Sequence, residues 1–236
     1  MVAKPLAPRA NETVQLTAAV EKYLEAIYHL ANEGKPVIGA RLAERLAVAP
    51  PTVTGMLQRM KKLGLLTLNE RKEAVLTPHG EAMALSIARR HYISERFLVD
   101  LLGMEWHRAH AEAHRLEHAL SPEVERRLSA VLGNPTTCPH GSPIPGSGLP
   151  RAPRGIPLDR AAQGARVIVE RITEQGEDDE RLLEFFWRHG IKPEARLTVT
   201  EVAPYRGTIT VSLDGREAVM GFETAAQVLV LPAEPR

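Results

Sequence analysis

At 236 residues, with 44% apolar and 25% charged residues, the chain suits one large domain or two modest domains of an ordinary soluble protein. A net charge of +1 rules out bulk attraction to nucleic acid, so any basic surface must be local. The single cysteine, Cys138, rules out an internal disulfide and fits a reducing cytoplasm, and no apolar run nears the roughly eighteen residues that span a bilayer.

Residues 1–12 carry Pro and Arg without a signal-like apolar stretch and read as a flexible arm. Helical period follows over 14–32, with Val20, Tyr23, Leu24, Ile27 and Leu30 on one stripe and Gly34 and Pro36 ending it. A short helix over 40–46 and a longer one over 52–63 come next, the second opened by Pro51 and closed by Gly64. Apolar alternation over 65–68 and 74–77 around a polar tip at 69–73 predicts a β-hairpin.

Long helices are expected over 78–102 and 106–120, and a third after Ser121, which supplies a cap ahead of Glu123 and Glu125. The Pro- and Gly-rich stretch 133–164 reads as a linker. From residue 165 to 236 β-type runs dominate, at 166–171, 196–203, 208–213, 218–222 and 227–231. Asp214-Gly215 forms a hairpin turn there, and a helix over 178–189 interrupts the strands. The fold class is therefore mainly α with β, in three parts. A winged helix–turn–helix (13–77) precedes a helical unit (78–132), and a small barrel-like β domain follows the linker.

Helix, turn, helix and hairpin is the connectivity of a winged DNA reader. Between Lys35 and Val75 eight basic residues face three acidic ones, a local charge of +5 in a nearly neutral chain. The second helix begins with Pro51, Thr52, Thr54, Gly55 and Gln58, whose small or polar side chains permit close approach to a major groove. Arg41 and Arg59 on the two helices, and Arg71 and Lys72 at the hairpin tip, suit phosphate contacts. A winged helix used only for protein contacts is the alternative.

Five of the nine histidines lie between His91 and His118. His91 and Glu95 are four apart; His110, His114 and His118 follow at steps of four, with Glu117 beside the last. On helices these side chains share faces, and imidazole with carboxylate is the usual donor set for a divalent first-row metal. Solvated polar faces are the competing reading. Cys138, in the linker, reads as incidental, and His29, His79, His140 and His189 as solvent contacts. Phe185-Phe186-Trp187 reads as core of the tail.

Taken in order, several segments carry a family resemblance. They are Ala40-Arg41-Leu42-Ala43-Glu44-Arg45-Leu46, Pro51-Thr52-Val53-Thr54, Leu76-Thr77-Pro78-His79-Gly80 and His118-Ala119-Leu120-Ser121. Glu123-Val124-Glu125-Arg126-Arg127-Leu128 and Cys138-Pro139-His140-Gly141 with Pro143-Ile144-Pro145 complete the set. With these segments the chain resembles the diphtheria toxin repressor (DtxR/IdeR/MntR) family of metal-dependent transcriptional regulators. The resemblance implies an SH3-like C-terminal domain, a homodimer joined through the helices after the wing, a near-palindromic double-stranded operator, and a metal corepressor.

It also implies a ligand set: His91, Glu95 and His110 with Asp179 from the tail at one site, and Glu25, His114, Glu117 and His118 at a second. Lys22 stands where family members place a first-helix ligand, and a protonated lysine cannot coordinate. That set holds no thiolate or thioether, which favours Mn(II) first and Fe(II) next, with two sites per subunit. A winged-helix regulator answering to a small molecule or to redox state is the alternative, and a helical-bundle metalloenzyme a more distant one.

Overall fold

The computed structural model describes residues 17–233; the expected arm at 1–12 and the start of the first helix fall outside them. Helix α1 (Ala18–Asn32) packs its apolar stripe, with Leu24 and Ile27 fully buried, into an N-terminal core shared with α2 (Gly39–Arg45) and α3 (Pro50–Lys62). Val53, Leu57 and Met60 recur on one face of α3 and anchor it, which leaves the opposite face free. Strands β1 (Leu66–Leu68) and β2 (Ala74–Leu76) pair antiparallel as the wing. Asn69 shapes its tip by accepting from the backbone N–H groups of Arg71 and Glu73.

Helix α4 (Pro78–Arg96) starts at a Thr77 cap that accepts from Gly80 N, while the Thr77 hydroxyl donates to the Gly64 carbonyl. The expected continuous helix to 102 instead changes pitch, with a π-turn over Phe97–Leu101. Helices α5 (Trp106–Leu116) and α6 (Pro122–Val131) follow. Helix α5 stops four residues earlier than its periodicity suggests, so Glu117 and His118 lie in the turn beyond it.

The stretch expected to be a linker is an ordered strap. Arg96 donates to Thr137 O at 2.7 Å, Arg89 donates to Pro145 O at 2.7 Å, and Cys138 and Ile144 join the N-terminal core. Arginines of α4 satisfy carbonyls that a free linker would leave to water.

The C-terminal domain is a six-stranded antiparallel sheet with α7 (Glu174–Glu177), α8 (Glu180–Arg188) and α9 (Phe222–Ala225). Its strands are β3 (Ile156–Pro157), β4 (Arg166–Ile172), β5 (Arg196–Ala203), β6 (Thr208–Leu213), β7 (Arg216–Gly221) and β8 (Val228–Pro232), in the order β3-β8-β4-β5-β6-β7. This is the expected SH3-like domain. Trp106 of α5 enters its core, donates to Pro139 O and stacks on Trp187, so the β domain is held against the helical unit. Of the aromatic run, Phe186 is buried, but Trp187 is 45% exposed and serves this contact instead. No helix among the described residues is long and apolar enough to cross a membrane.

Gly80 lets the first turn of α4 press on the turn between α3 and β1. A Cβ there would lie 1.9 Å from the Leu65 carbonyl oxygen, which itself accepts from Thr77 N. Gly80→Ala is expected to destabilise the fold by about 1–3 kcal/mol through overpacking, a loss that urea unfolding would measure.

Candidate metal centre

Five segments bring the donors together. Helix α1 supplies Glu25, α4 supplies His91 and Glu95, and α5 with its following turn supplies His110, His114 and Glu117. The strap supplies Cys138 and His140, and α7 supplies Glu174 and Glu177. Most are sealed from solvent: His91, Glu95, His110, Glu117, Cys138, His140 and Glu177 are all at most 3% exposed.

The contacts are dense. His91 Nδ1 lies 2.7 Å from Glu117 Oε2, and its Nε2 lies 3.1 Å from both Glu95 Oε1 and His110 Nδ1. His110 Nδ1 is 2.9 Å from Glu95 Oε1 and 3.3 Å from Glu177 Oε2, and its Nε2 is 3.2 Å from His114 Nε2. His140 Nδ1 sits 3.4 Å from Glu95 Oε1 and 3.3 Å from Glu177 Oε2, while its Nε2 faces Trp106 O at 3.2 Å.

Two four-donor groups share no residue. Glu25, His91, His114 and Glu117 form one; Glu95, Cys138, His140 and Glu177 form the other, each with donor atoms within 4.8 Å of one another. For metal–ligand bonds of about 2.1 Å, adjacent octahedral donors stand about 3 Å apart and opposite ones about 4.2 Å apart. Both groups are thus close to coordination spacing. Two further triads, His91/His110/His114 and His110/Glu174/Glu177, reuse members of these sets or link them through His110.

The test of fit is polar bookkeeping. Glu25 Oε1, Glu95 Oε2, Glu117 Oε1, His140 Nδ1 and both oxygens of Glu177 are buried without an aligned hydrogen-bond partner. Orphaned buried carboxylate oxygens are costly, and here they converge. A divalent cation in each group would satisfy them; the residues fit a metal.

The electrostatics agree. Burial alone would raise the Glu95 carboxyl, but the charges of His140 and His91 and a His110 hydrogen bond hold it well below the usual range. Burial would likewise raise Glu25, Glu117 and Glu177, yet neighbouring histidines keep all three below the usual range. Burial would favour neutral imidazoles, but the surrounding carboxylates raise His91, His110 and His140 well above the ordinary value. Glu174 differs: burial outweighs its partners, raises its carboxyl, and leaves it accepting from the Tyr92 hydroxyl. Without a cation, protons on the imidazoles offset part of the carboxylate charge.

Several expectations need correction. Asp179 does not reach the centre: its Oδ1 accepts from Arg181 N at 3.0 Å and Leu182 N at 3.2 Å, capping α8. Glu174 and Glu177, on a helix only four residues long, stand there instead. Cys138 and His140 are neither incidental nor solvent contacts but buried members of the second group, so the donor set does include a sulfur. His29 is also buried, with Nδ1 3.3 Å from Glu174 Oε1.

His91 lies in the group with Glu25, His114 and Glu117, and its Nε2 also stands 3.1 Å from Glu95 and His110, the partners expected for it, with Glu177 as the tail residue beside His110. His118 stands at the rim, its Nδ1 2.5 Å from Glu21 Oε2 and its Nε2 3.4 Å from Glu117 Oε1, outside either four-donor group. Lys22 is exposed. A cleft of about 540 Å³ lined by Glu25, His114 and His118 opens the first group to solvent.

The nucleic-acid candidates lie apart from this centre. Pro51, Thr52, Thr54, Gly55, Gln58 and Arg59 are exposed on the free face of α3, Arg71 and Lys72 are exposed at the wing tip, and Arg41 is half-buried on α2.

Residues 15–74 match the family described as iron dependent repressor, N-terminal DNA binding domain, and residues 77–146 its metal binding and dimerisation domain. Residues 156–232 match the FeoA domain. The chain is 40% identical over 219 residues to the iron-dependent repressor IdeR of Mycobacterium leprae, covering 89% of this chain and 93% of that one. It is 35% identical over 214 residues to the diphtheria toxin repressor of Corynebacterium diphtheriae, covering 86% and 92%. A solved manganese-dependent transcriptional repressor in complex with manganese superposes with a TM-score of 0.81 at 32% identity, covering 91% of this chain and all of that one.

The corrected tail donor yields a direct comparison. Glu177→Gln is expected to weaken divalent-metal binding at least about tenfold, whereas Asp179→Asn leaves it unchanged; equilibrium dialysis with Mn(II) or Fe(II) distinguishes the two.

Proposed function

Since the chain belongs to the iron-dependent, diphtheria toxin repressor family of metal-activated DNA-binding transcriptional regulators, we propose that its two disjoint donor groups hold the activating cations. Glu25, His91, His114 and Glu117 form one site, and Glu95, Cys138, His140 and Glu177 the other, with His110 between them. The convergence of orphaned carboxylate oxygens from α1, α4, α5 and α7 carries this reading.

The first site is all imidazole and carboxylate, which suits Mn(II) before Fe(II). The second adds a thiol, a softer donor that shifts preference toward Fe(II) or Zn(II). Burial pushes the Cys138 thiol pKa up, so its thiolate forms only where a cation stabilises it. The same burial weakens the redox-regulator alternative. The repressor assignment leaves the donors a regulatory role, with no catalytic step assigned.

Bound metal supplies positive charge at the junction of three domains; the chain's own residues turn that into DNA affinity. Glu25 belongs to the DNA-binding unit, whereas His91, His114 and Glu117 belong to the helices expected to form the homodimer. Drawing their donors together fixes α3 relative to the two-fold axis. Two such helices must stand about 34 Å apart to enter successive major grooves of a near-palindromic operator. On the exposed face of α3, Pro51, Thr52, Thr54 and Gln58 approach bases and sugar-phosphate. Arg41, Arg59, Arg71 and Lys72 neutralise phosphates.

Duplex binding by the purified protein is expected to rise about a hundredfold on adding Mn(II) or Fe(II), a coupling of about 2.7 kcal/mol, and to fall back on chelation. Affinity indifferent to chelation would contradict the reading. The raised imidazole pKa values fix the pH dependence: protons on His91, His110 and His140 must leave as metal binds, so metal affinity should strengthen as pH rises. Calorimetry in buffers of differing ionisation enthalpy would detect the released protons. At Gly55 an added Cβ meets nothing within 4 Å, so Gly55→Gln should fold normally and change the preferred duplex sequence, read by selection from a random library.

A further inference from the structure

The acidic turn that contributes Glu177 to the centre also reaches the helix–turn–helix itself. Asp178, at the end of α7, stands between two partners. Its Oδ2 lies 3.4 Å from Arg45 Nη2, and its Oδ1 lies 3.5 Å from His110 Nε2. Arg45 is in the last turn of α2, which packs directly on α3. Its side chain is only 14% exposed and is turned toward the C-terminal domain, lining the cleft beside Asp178 and Glu174. A second contact runs in parallel, since His29 of α1 meets Glu174 on the same turn at 3.3 Å. One short segment of the β domain therefore touches both inner helices of the DNA reader and a histidine of the metal centre.

We propose that Arg45 and Asp178 are positioning residues that latch the helix–turn–helix to the metal-bearing turn 174–178, so that ordering of that turn orients α3 for DNA. The inference rests on the metal-dependent reading above. It assigns the C-terminal domain a mechanical part in DNA binding, exerted through α2 rather than through a coordinating atom. Asp178 is not counted as a ligand. Its carboxylate lies beside the Nε2 edge of His110, an edge it shares with His114 and that faces away from Glu95 and Glu177 at Nδ1.

The competing explanation of Arg45 is a direct phosphate contact. Its burial and its carboxylate partner argue against this, because a phosphate would have to displace Asp178. The expected size is modest because Asp178 is 46% exposed. An ion pair of this kind accounts for at most about fivefold per protomer, hence at most about twenty-fivefold for a dimer engaging two half-sites.

The test uses the full chain at saturating Mn(II), with a duplex selected from a random library by the loaded wild type. Arg45→Gln, Asp178→Asn and the double variant are titrated across a range of salt. Each single variant is expected to bind about two- to twenty-fivefold more weakly, and the double variant no more weakly than either. All should retain the wild-type salt slope and Mn(II) stoichiometry. Multiplying losses, or a shallower salt slope for Arg45→Gln alone, would mark a phosphate contact and overturn the latch, as would wild-type affinity in the single variants.

Amide hydrogen exchange in the Mn(II)-loaded protein gives an independent readout. Residues 39–46 should exchange faster in both single variants, and unchanged exchange would also count against the latch. A wild type that does not respond to Mn(II) at all would instead defeat the metal-dependent reading. A responsive wild type with indifferent variants defeats the latch alone.

Discussion

Buried negative charge in need of a cation is the constraint on which the rest of this structure depends. Glu95, Glu117 and Glu177 are at most 2% exposed, and each leaves at least one oxygen without a hydrogen-bond partner. Removing a carboxylate from water costs several kcal/mol, and leaving its lone pairs empty adds to that. Imidazolium protons on His91, His110 and His140 offset part of the cost. They donate from fixed ring edges and cannot satisfy all the oxygens at once. A divalent ion can, because coordination draws on several lone pairs from one point.

The architecture follows from where those carboxylates come from. Glu25 rides on the first helix of the DNA reader, Glu95 and Glu117 on the helical unit, and Glu177 on the β domain. The DNA reader shares one apolar core with α4, the β domain has a second core of its own, and the carboxylates gather at the polar joint between the two. Apolar contact between domains stays favourable whether or not an ion is bound, so it cannot by itself make DNA binding conditional. A joint whose carboxylates are only partly offset by imidazolium when empty would be drawn tighter when filled, which would bias a population of orientations. The ordered strap 133–155 and the Trp106–Trp187 stack limit how far the β domain can drift.

How much of this was legible in the sequence depends on whether a donor sat in a periodic element. His91 with Glu95, and His110 with His114, could be paired because helical spacing puts them on one face, and the structure places them side by side. The exposed face of α3 followed from the small and polar residues that open it, Pro51 to Gln58, and the wing from the alternation around Asn69. Glu174 and Glu177 were missed because α7 spans a single turn, too short to show a period; Thr173 ahead of Gly176 was the available signal, as its hydroxyl accepts from that N–H. Asp179 entered the ligand set through the family resemblance alone, where counting residues along the tail gives no local check; a carboxylate just ahead of a helix suits a cap, and capping is what it does. Cys138 and His140 lie in irregular backbone, where burial depends on contacts from α4 and β4 that no local pattern encodes. His118 fell on the helical stripe, but the helix ends at Leu116 and turns it outward toward Glu21.

The central claim is that a cation joins Glu25 of the DNA-binding unit to His91 and Glu117 of the helical unit. An anomalous difference map from crystals grown with Mn(II) tests it most directly. The account predicts a peak within coordinating distance of the Glu25 carboxylate, the His91 ring and Glu117, with a second peak beside Glu95, His140 and Glu177. A map with no peak between Glu25 and His91, from a protein that binds its duplex tightly in the same Mn(II), would contradict it.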